Sequence, residues 1–167
     1  MLALKLTDVK DFMNKLLRSE TFDNFLLQEA VISSAANYVI DGRVNQEYFS
    51  VEELEDAQIM DYPFLPFSML RGNCFDLIKG KKTPASFRFV FLLSPENQKK
   101  TLESLHSSFT EKDIRGFFLN LKYQNLTLTL TTGVSYQIFS MDKSLENEWD
   151  KLAIRFLKQQ NIAFEEL

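Results

Sequence analysis

Four cations crowd one short stretch of this chain: Lys79, Lys81, Lys82 and Arg88. Only Asp76 lies near enough in sequence to offset them. Gly80 sits among them, and a residue without a Cβ lets the backbone come close to an anion. Such a cluster can hold phosphate, so these four residues are the candidate anion or nucleic-acid contact. The competing explanation, which the sequence favours, is a solvated turn whose lysines guard a sheet edge against strand-to-strand aggregation.

Residue types that do covalent or acid–base work are sparse. That chemistry needs a base, a nucleophile or a metal gathered in one pocket. His106 is the only histidine. It falls at the end of a predicted helix beside Ser107 and Ser108, a place that suits a C-terminal cap better than a catalytic base. Cys74, the only cysteine, lies on the apolar stripe of a predicted helix and reads as a small core residue. No Cys/His spacing matches a zinc site, and neither glycine-rich phosphate loop is present. Asp8 with Asp11, and Glu52 with Glu53, fall at a helix start and in a solvated connection, where carboxylates are ordinary surface charge. The expectation is therefore no catalytic residue, no cofactor-binding residue, no metal ligand and no enzyme.

The elements that must position the basic stretch follow from periodicity. Residues 2–6 alternate and predict a strand. Val9, Phe12, Met13, Leu16 and Leu17 recur at helical spacing, which predicts a helix over 8–18 capped by Thr7. Residues 25–40 predict strand, with a turn or bulge in the weak stretch 33–37. Asp41-Gly42 matches a type I′ turn, which would fold 43–49 back on 37–40. An acidic connection runs from 50 to 62. Leu70, Cys74, Leu77 and Ile78 then predict a helix closed by Gly80. Residues 87–93 are apolar on both faces apart from Arg88 and predict a central strand. Ser94-Pro95 opens a helix reaching about residue 105. Three strands follow, joined by a turn at Gln124-Asn125 and a three-residue loop, 131–133. That loop keeps Leu119, Leu121, Leu128, Leu130 and Tyr136 on one face. A C-terminal helix runs from Ser144 to about residue 160.

The whole reads as α+β, with mainly antiparallel sheets and amphipathic helices. The order β-α-β-β-β-α occurs twice, in halves at about 1–80 and 86–160, which predicts a pseudo-duplication. The alternative is that this order is simply common among α+β domains. Two β-α-β-β-β units related by a pseudo-twofold resemble one domain of the sliding DNA clamps. Clamp helices facing DNA are rich in Lys and Arg. Here Lys10, Lys15 and Arg18 are mixed with Asp8 and Asp11, and Lys99 and Lys100 with Glu96 and Glu103, which weakens the transfer of DNA encirclement. Over its full length the chain also resembles a family of small bacterial proteins classed as a domain of unknown function, on the stretches 3–10, 40–42 and 77–84. That resemblance implies a bacterial setting and brings no activity.

Bulk properties bound the rest. A length of 167 residues suits a single domain over 1–167. A net charge of −4 with a pI of about 5.1 does not favour a general nucleic-acid binder. One cysteine allows no internal disulfide. The apolar start, residues 1–6, is too short for a signal peptide, and no apolar run nears the roughly 20 residues that span a bilayer. A cytoplasmic protein without membrane contact is expected, in which Asn125-Leu126-Thr127 is no glycosylation site. With 16 phenylalanines against 5 glycines and 4 prolines, the core should be dense and aromatic. The functional expectation is a non-enzymatic binding or assembly module with a clamp-like fold, acting through a homo-oligomer or a protein partner. The alternative is a nucleic-acid-associated protein that uses the basic turn and the helix faces.

Overall fold

The computed structural model describes all of residues 1–167. The chain runs β1 (Ala3–Leu6), α1 (Val9–Arg18), β2 (Phe25–Ser33), β3 (Asn37–Asp41), α2 (Val51–Asp56), α3 (Phe67–Ile78), β4 (Ser86–Leu93), α4 (Pro95–Ser104), β5 (Ile114–Gln124), β6 (Thr127–Tyr136), α5 (Ser144–Gln159) and β7 (Phe164–Glu166). The strands form one seven-stranded sheet in the order β3-β2-β4-β5-β6-β1-β7. Each pairing is antiparallel. The α+β class and the C-terminal helix are as expected. No helix is long and apolar enough to cross a membrane.

Alternation along the strands sends one set of side chains to a single core. Leu4, Leu27, Phe89, Phe91, Phe117, Leu119, Leu121, Leu128 and Leu130 all lie there, buried. Phe12 and Leu16 of α1, Phe67 and Cys74 of α3, Leu102 of α4, and Trp149 and Leu157 of α5 meet them. Four helices thus share one face of the sheet. The phenylalanines interlock: Phe22, Phe25, Phe67, Phe89 and Phe91 form a run of rings with centroids 5.1 to 6.2 Å apart.

Several expected connections are overturned. Asp41-Gly42 is not a hairpin turn. The β2–β3 reversal is at 34–36, inside the stretch where a turn or bulge was expected, with Ser33 opposite Asn37, and residues 43–49 form no strand. Gly42 has no left-handed φ; a Cβ there would stand 1.7 Å from the Leu27 carbonyl oxygen. Its N–H donates to the Gln28 carbonyl at 2.9 Å and its carbonyl accepts from the Leu65 N–H at 2.8 Å. Glycine is required there because backbones crowd together, beside the bulge between Leu27 and Glu29. At the other hairpin the turn residues are Asn125 and Leu126, with φ of 53° and 61°, one position later than expected. Gln124 faces Thr127 and Tyr123 faces Leu128.

The loop at 131–133 does not exist. Strand β6 runs through it unbroken, with Thr132 opposite Leu119 and Gly133 opposite Phe118. The face Leu128, Leu130, Thr132, Val134, Tyr136 is continuous because a buried threonine occupies its middle. The Thr132 hydroxyl donates to the Asp150 carboxylate and accepts from the Leu2 N–H at 2.9 Å. The pseudo-duplication is absent for a related reason. In the second half β4, β5 and β6 are neighbours, whereas in the first half β1 is separated from β2 by three strands of the other half. Different strand orders remove the pseudo-twofold on which the clamp resemblance rested. A smaller difference concerns a cap. Asp8, not Thr7, caps α1 by accepting from the Asp11 N–H at 3.0 Å.

Candidate functional site

Helices α1, α3, α4 and α5 cover one face of the sheet; on the other, Leu26 and Leu92 are buried at one end, beside Pro63, and the register describes the part that is left open. One cross-strand row runs Val39, Val31, Arg88, Lys122, Thr129, Lys5, Glu165, through β3, β2, β4, β5, β6, β1 and β7. Its members are exposed or half-buried. Arg88 and Lys122 are directly opposite each other, and Lys5 is the next cation along, beyond Thr129. Strands lie about 4.8 Å apart, so the three charges span roughly 14 Å. Like charges placed opposite one another on a sheet are unfavourable, and this pair is kept on the open face. Arg88 bonds Glu29 at 2.9 Å and Lys5 lies 3.7 Å from Glu165. Both pairs are solvent-exposed, so they are worth about 0–1 kcal/mol and exchange readily. The adjoining row carries Val90, Asn120, Thr131 and Ala3, small or polar groups that leave the surface flat.

The structure divides the four basic residues expected to act together. Lys79 ends α3: its ammonium lies 3.1 Å from Asp76 and 5.7 Å from the centre of the Phe75 ring. Arg18, the last residue of α1, lies 5.3 Å from the same ring. Cations near two helix C-termini are stabilised by the helix dipoles, so Lys79 and Arg18 have a structural role on the helical side. Gly80 has φ 142° and open space around it, and Lys81 and Lys82 follow in an exposed bend. Arg88, by contrast, points to the open face. Its neighbours there, Lys5 and Lys122, were missed. The signal was present, since Leu4-Lys5-Leu6, Phe87-Arg88-Phe89 and Leu121-Lys122-Tyr123 each place a cation between two core residues. What was missing was the strand order that aligns them.

Cys74, His106, Asp8 and Glu53 each have a defined place in the fold. Cys74 is fully buried, and burial pushes its thiol up to about 12. His106 follows α4 with φ 50°. Its N–H donates to the Glu103 carbonyl at 3.2 Å, and the Ser107 N–H reaches Leu102, which makes it a left-handed helix cap. No three His, Cys, Asp or Glu side chains converge as a ligand set. Asp8 caps α1, and Glu53 completes a capping box with Ser50 on α2.

Fold and surface together define a class: an α+β protein built on one antiparallel sheet, with four helices on one face and a row of aligned cations on the exposed part of the other. The chain belongs to a family of unknown function (DUF5721), whose model matches residues 15–165. No curated protein and no solved structure matches it.

Proposed function

We propose that this protein is a binding module that does no covalent chemistry, and that its ligand is single-stranded nucleic acid laid across the open sheet face. The observation that supports this reading most is the alignment of Arg88, Lys122 and Lys5 in one cross-strand row, through Thr129, on the exposed part of that face. A polyanion relieves the repulsion between Arg88 and Lys122. Val90 and the half-buried Phe118, on the same face, offer apolar surface to bases. Lys81 and Lys82, at the end of the sheet where β4 begins, extend the positive field. The protein carries a net charge of −4, so binding is weak and depends on counterion release.

The test measures single-stranded DNA and RNA binding by fluorescence anisotropy at two salt concentrations. Three proteins are compared: wild type, Lys5/Arg88/Lys122→Ala and Lys79/Lys81/Lys82→Ala. The sheet variant should lose at least about tenfold in affinity, and its salt dependence should flatten by about 0.7 in logarithmic slope for each phosphate contact removed. The turn variant should lose less. Absence of low-salt binding by wild type, or a sheet variant that binds as wild type, rejects the reading. A second reading has its own observation: Val39 is 64% exposed on the edge strand β3, beside half-buried Val31. That apolar edge supports assembly with a second copy. Light scattering would then report a dimer that Val39→Lys dissolves.

A further inference from the structure

We propose that a cleft on the helical side of the sheet, at the end remote from the basic turn, binds an uncharged sugar. The cleft lies between the 19–24 turn, the start of α4 and the end of α5, is open to solvent, and has a volume of about 580 Å³. Small-molecule sites range over roughly 300–1,000 Å³. Phe25, Leu93 and Phe156 supply its apolar surface. Phe156 is held edge-on against Phe25 at 5.4 Å and against Phe22 at 5.5 Å, so the ring is fixed in position before any ligand arrives.

Three carboxamides stand around that surface: Asn24 before β2, Asn97 in the first turn of α4, and Gln160 at the end of α5. None of the three side-chain amides is used within the chain. Asn97 and Gln160 are bound through their backbone N–H groups, to the Ser94 hydroxyl and the Phe156 carbonyl. A carboxamide offers donor and acceptor together, and each hydroxyl of a sugar needs both. Glu20 and Thr21 add a carboxylate and a hydroxyl at the same cleft. A pyranose has an apolar C–H face and a rim of hydroxyls, which match the aromatic surface and its polar surround.

Charge selects among ring-shaped ligands. No Lys or Arg lines the cleft, and its one charged side chain is the Glu20 carboxylate. A phosphate or carboxylate ligand would meet repulsion there and find no cation. A second groove of about 320 Å³ starts from the same Asn24 and Asn97 and continues past Ser68, Ser94 and Glu96, again without a cation. Asn24 and Asn97 therefore stand where two rings would join, and a disaccharide fits the pair of grooves better than a single ring. This site is separate from the cation row, because Phe25 belongs to the helix-covered core.

The test is an NMR titration of ¹⁵N-labelled protein with glucose, galactose, mannose, N-acetylglucosamine, maltose and cellobiose. Glucose 6-phosphate and adenosine serve as comparisons. A neutral sugar should shift the side-chain amide signals of Asn24, Asn97 and Gln160, with a Kd near 1 mM. The Asn24→Ala/Asn97→Ala variant, at positions that are exposed and half-buried, should keep its amide spectrum elsewhere and bind at least about tenfold more weakly. Three results would overturn the proposal: no sugar shifts these signals, the variant binds as wild type, or the phosphorylated sugar or adenosine is preferred. Failure of nucleic-acid binding at the open face would leave this outcome untouched, since the two sites share no residue.

Discussion

At the scale of single residues, Thr132 decides more than its type suggests. It is fully buried and joins three parts of the chain: β6, the Leu2 backbone and Asp150 on α5. Thr132→Val keeps the shape and removes the hydroxyl. The Leu2 N–H and the Asp150 carboxylate then lose their partner, and the loss in urea denaturation should be about 1–3 kcal/mol. Thr132→Ser should recover most of it. Leu128, also fully buried, is an ordinary core position, and Leu128→Ala should cost about 2–5 kcal/mol. The alternation of Leu128 and Leu130 was readable from sequence. Thr132 was not, because a hydroxyl in the inward register looks like the end of an apolar face. Its partner Asp150 lies 18 residues away on a helix, and only the fold brings the two together.

The elements show the same pattern, with turns the least readable part. Gly42 was recognised as a special position for the wrong reason. Its importance comes from the Leu27 carbonyl 1.7 Å from where a Cβ would stand, a contact between segments that local turn chemistry does not report. Gly42→Ala must push β2 away from the following segment, and should cost about 3 kcal/mol in thermal or chemical denaturation. Leu126 is the opposite case. It sits at φ 61° and is 85% exposed, so its side chain gains nothing for the strain. Leu126→Gly creates the Asn-Gly pair that a type I′ turn prefers, and should stabilise by about 0.5 kcal/mol after the entropic cost of glycine is deducted. A loss on this change would show that the tip does something other than turn. The expected Gln124-Asn125 turn and the observed one differ by a single position yet bury the same face. The apolar alternation of β5 and β6 tolerates that shift because both strands change partner by an even step.

For the whole molecule, the amphipathic helices and most strands were evident from periodicity, and the sheet order was not. Periodicity states which side of a strand is buried; it is silent on which strand lies beside it. A duplicated element order suggested two similar halves, while the chain in fact inserts β1 between β6 and β7. Global stability should also respond to alkali. Burial pushes the Cys74 thiol up to about 12 from 9.0. Burial, and then the hydrogen bond to Glu96, push the Tyr62 hydroxyl up to about 12 from 10.0. Above the ordinary values the unfolded chain has released protons that the folded one keeps, so stability must fall as pH rises. The effect is absent below about pH 9 and complete near pH 12. Urea midpoints taken between these limits should decline, and Cys74→Ala should flatten the first part of the decline. A level series would mean that both groups ionise freely in the folded protein.

The position of β1 has a consequence for how the protein is made. Leu4 pairs with Leu130 on one side and with Glu166 on the other. A ribosome makes β1 well before both of its partners, β6 and β7. At about 5–20 residues per second, this strand waits roughly 8–30 s for its outer neighbour. Until β6 is made, Leu4 and Leu6, among the most deeply buried side chains of the finished fold, have no sheet to enter. The growing chain therefore carries β1 unpaired for that interval, and a helper that shields short apolar segments would have its use there.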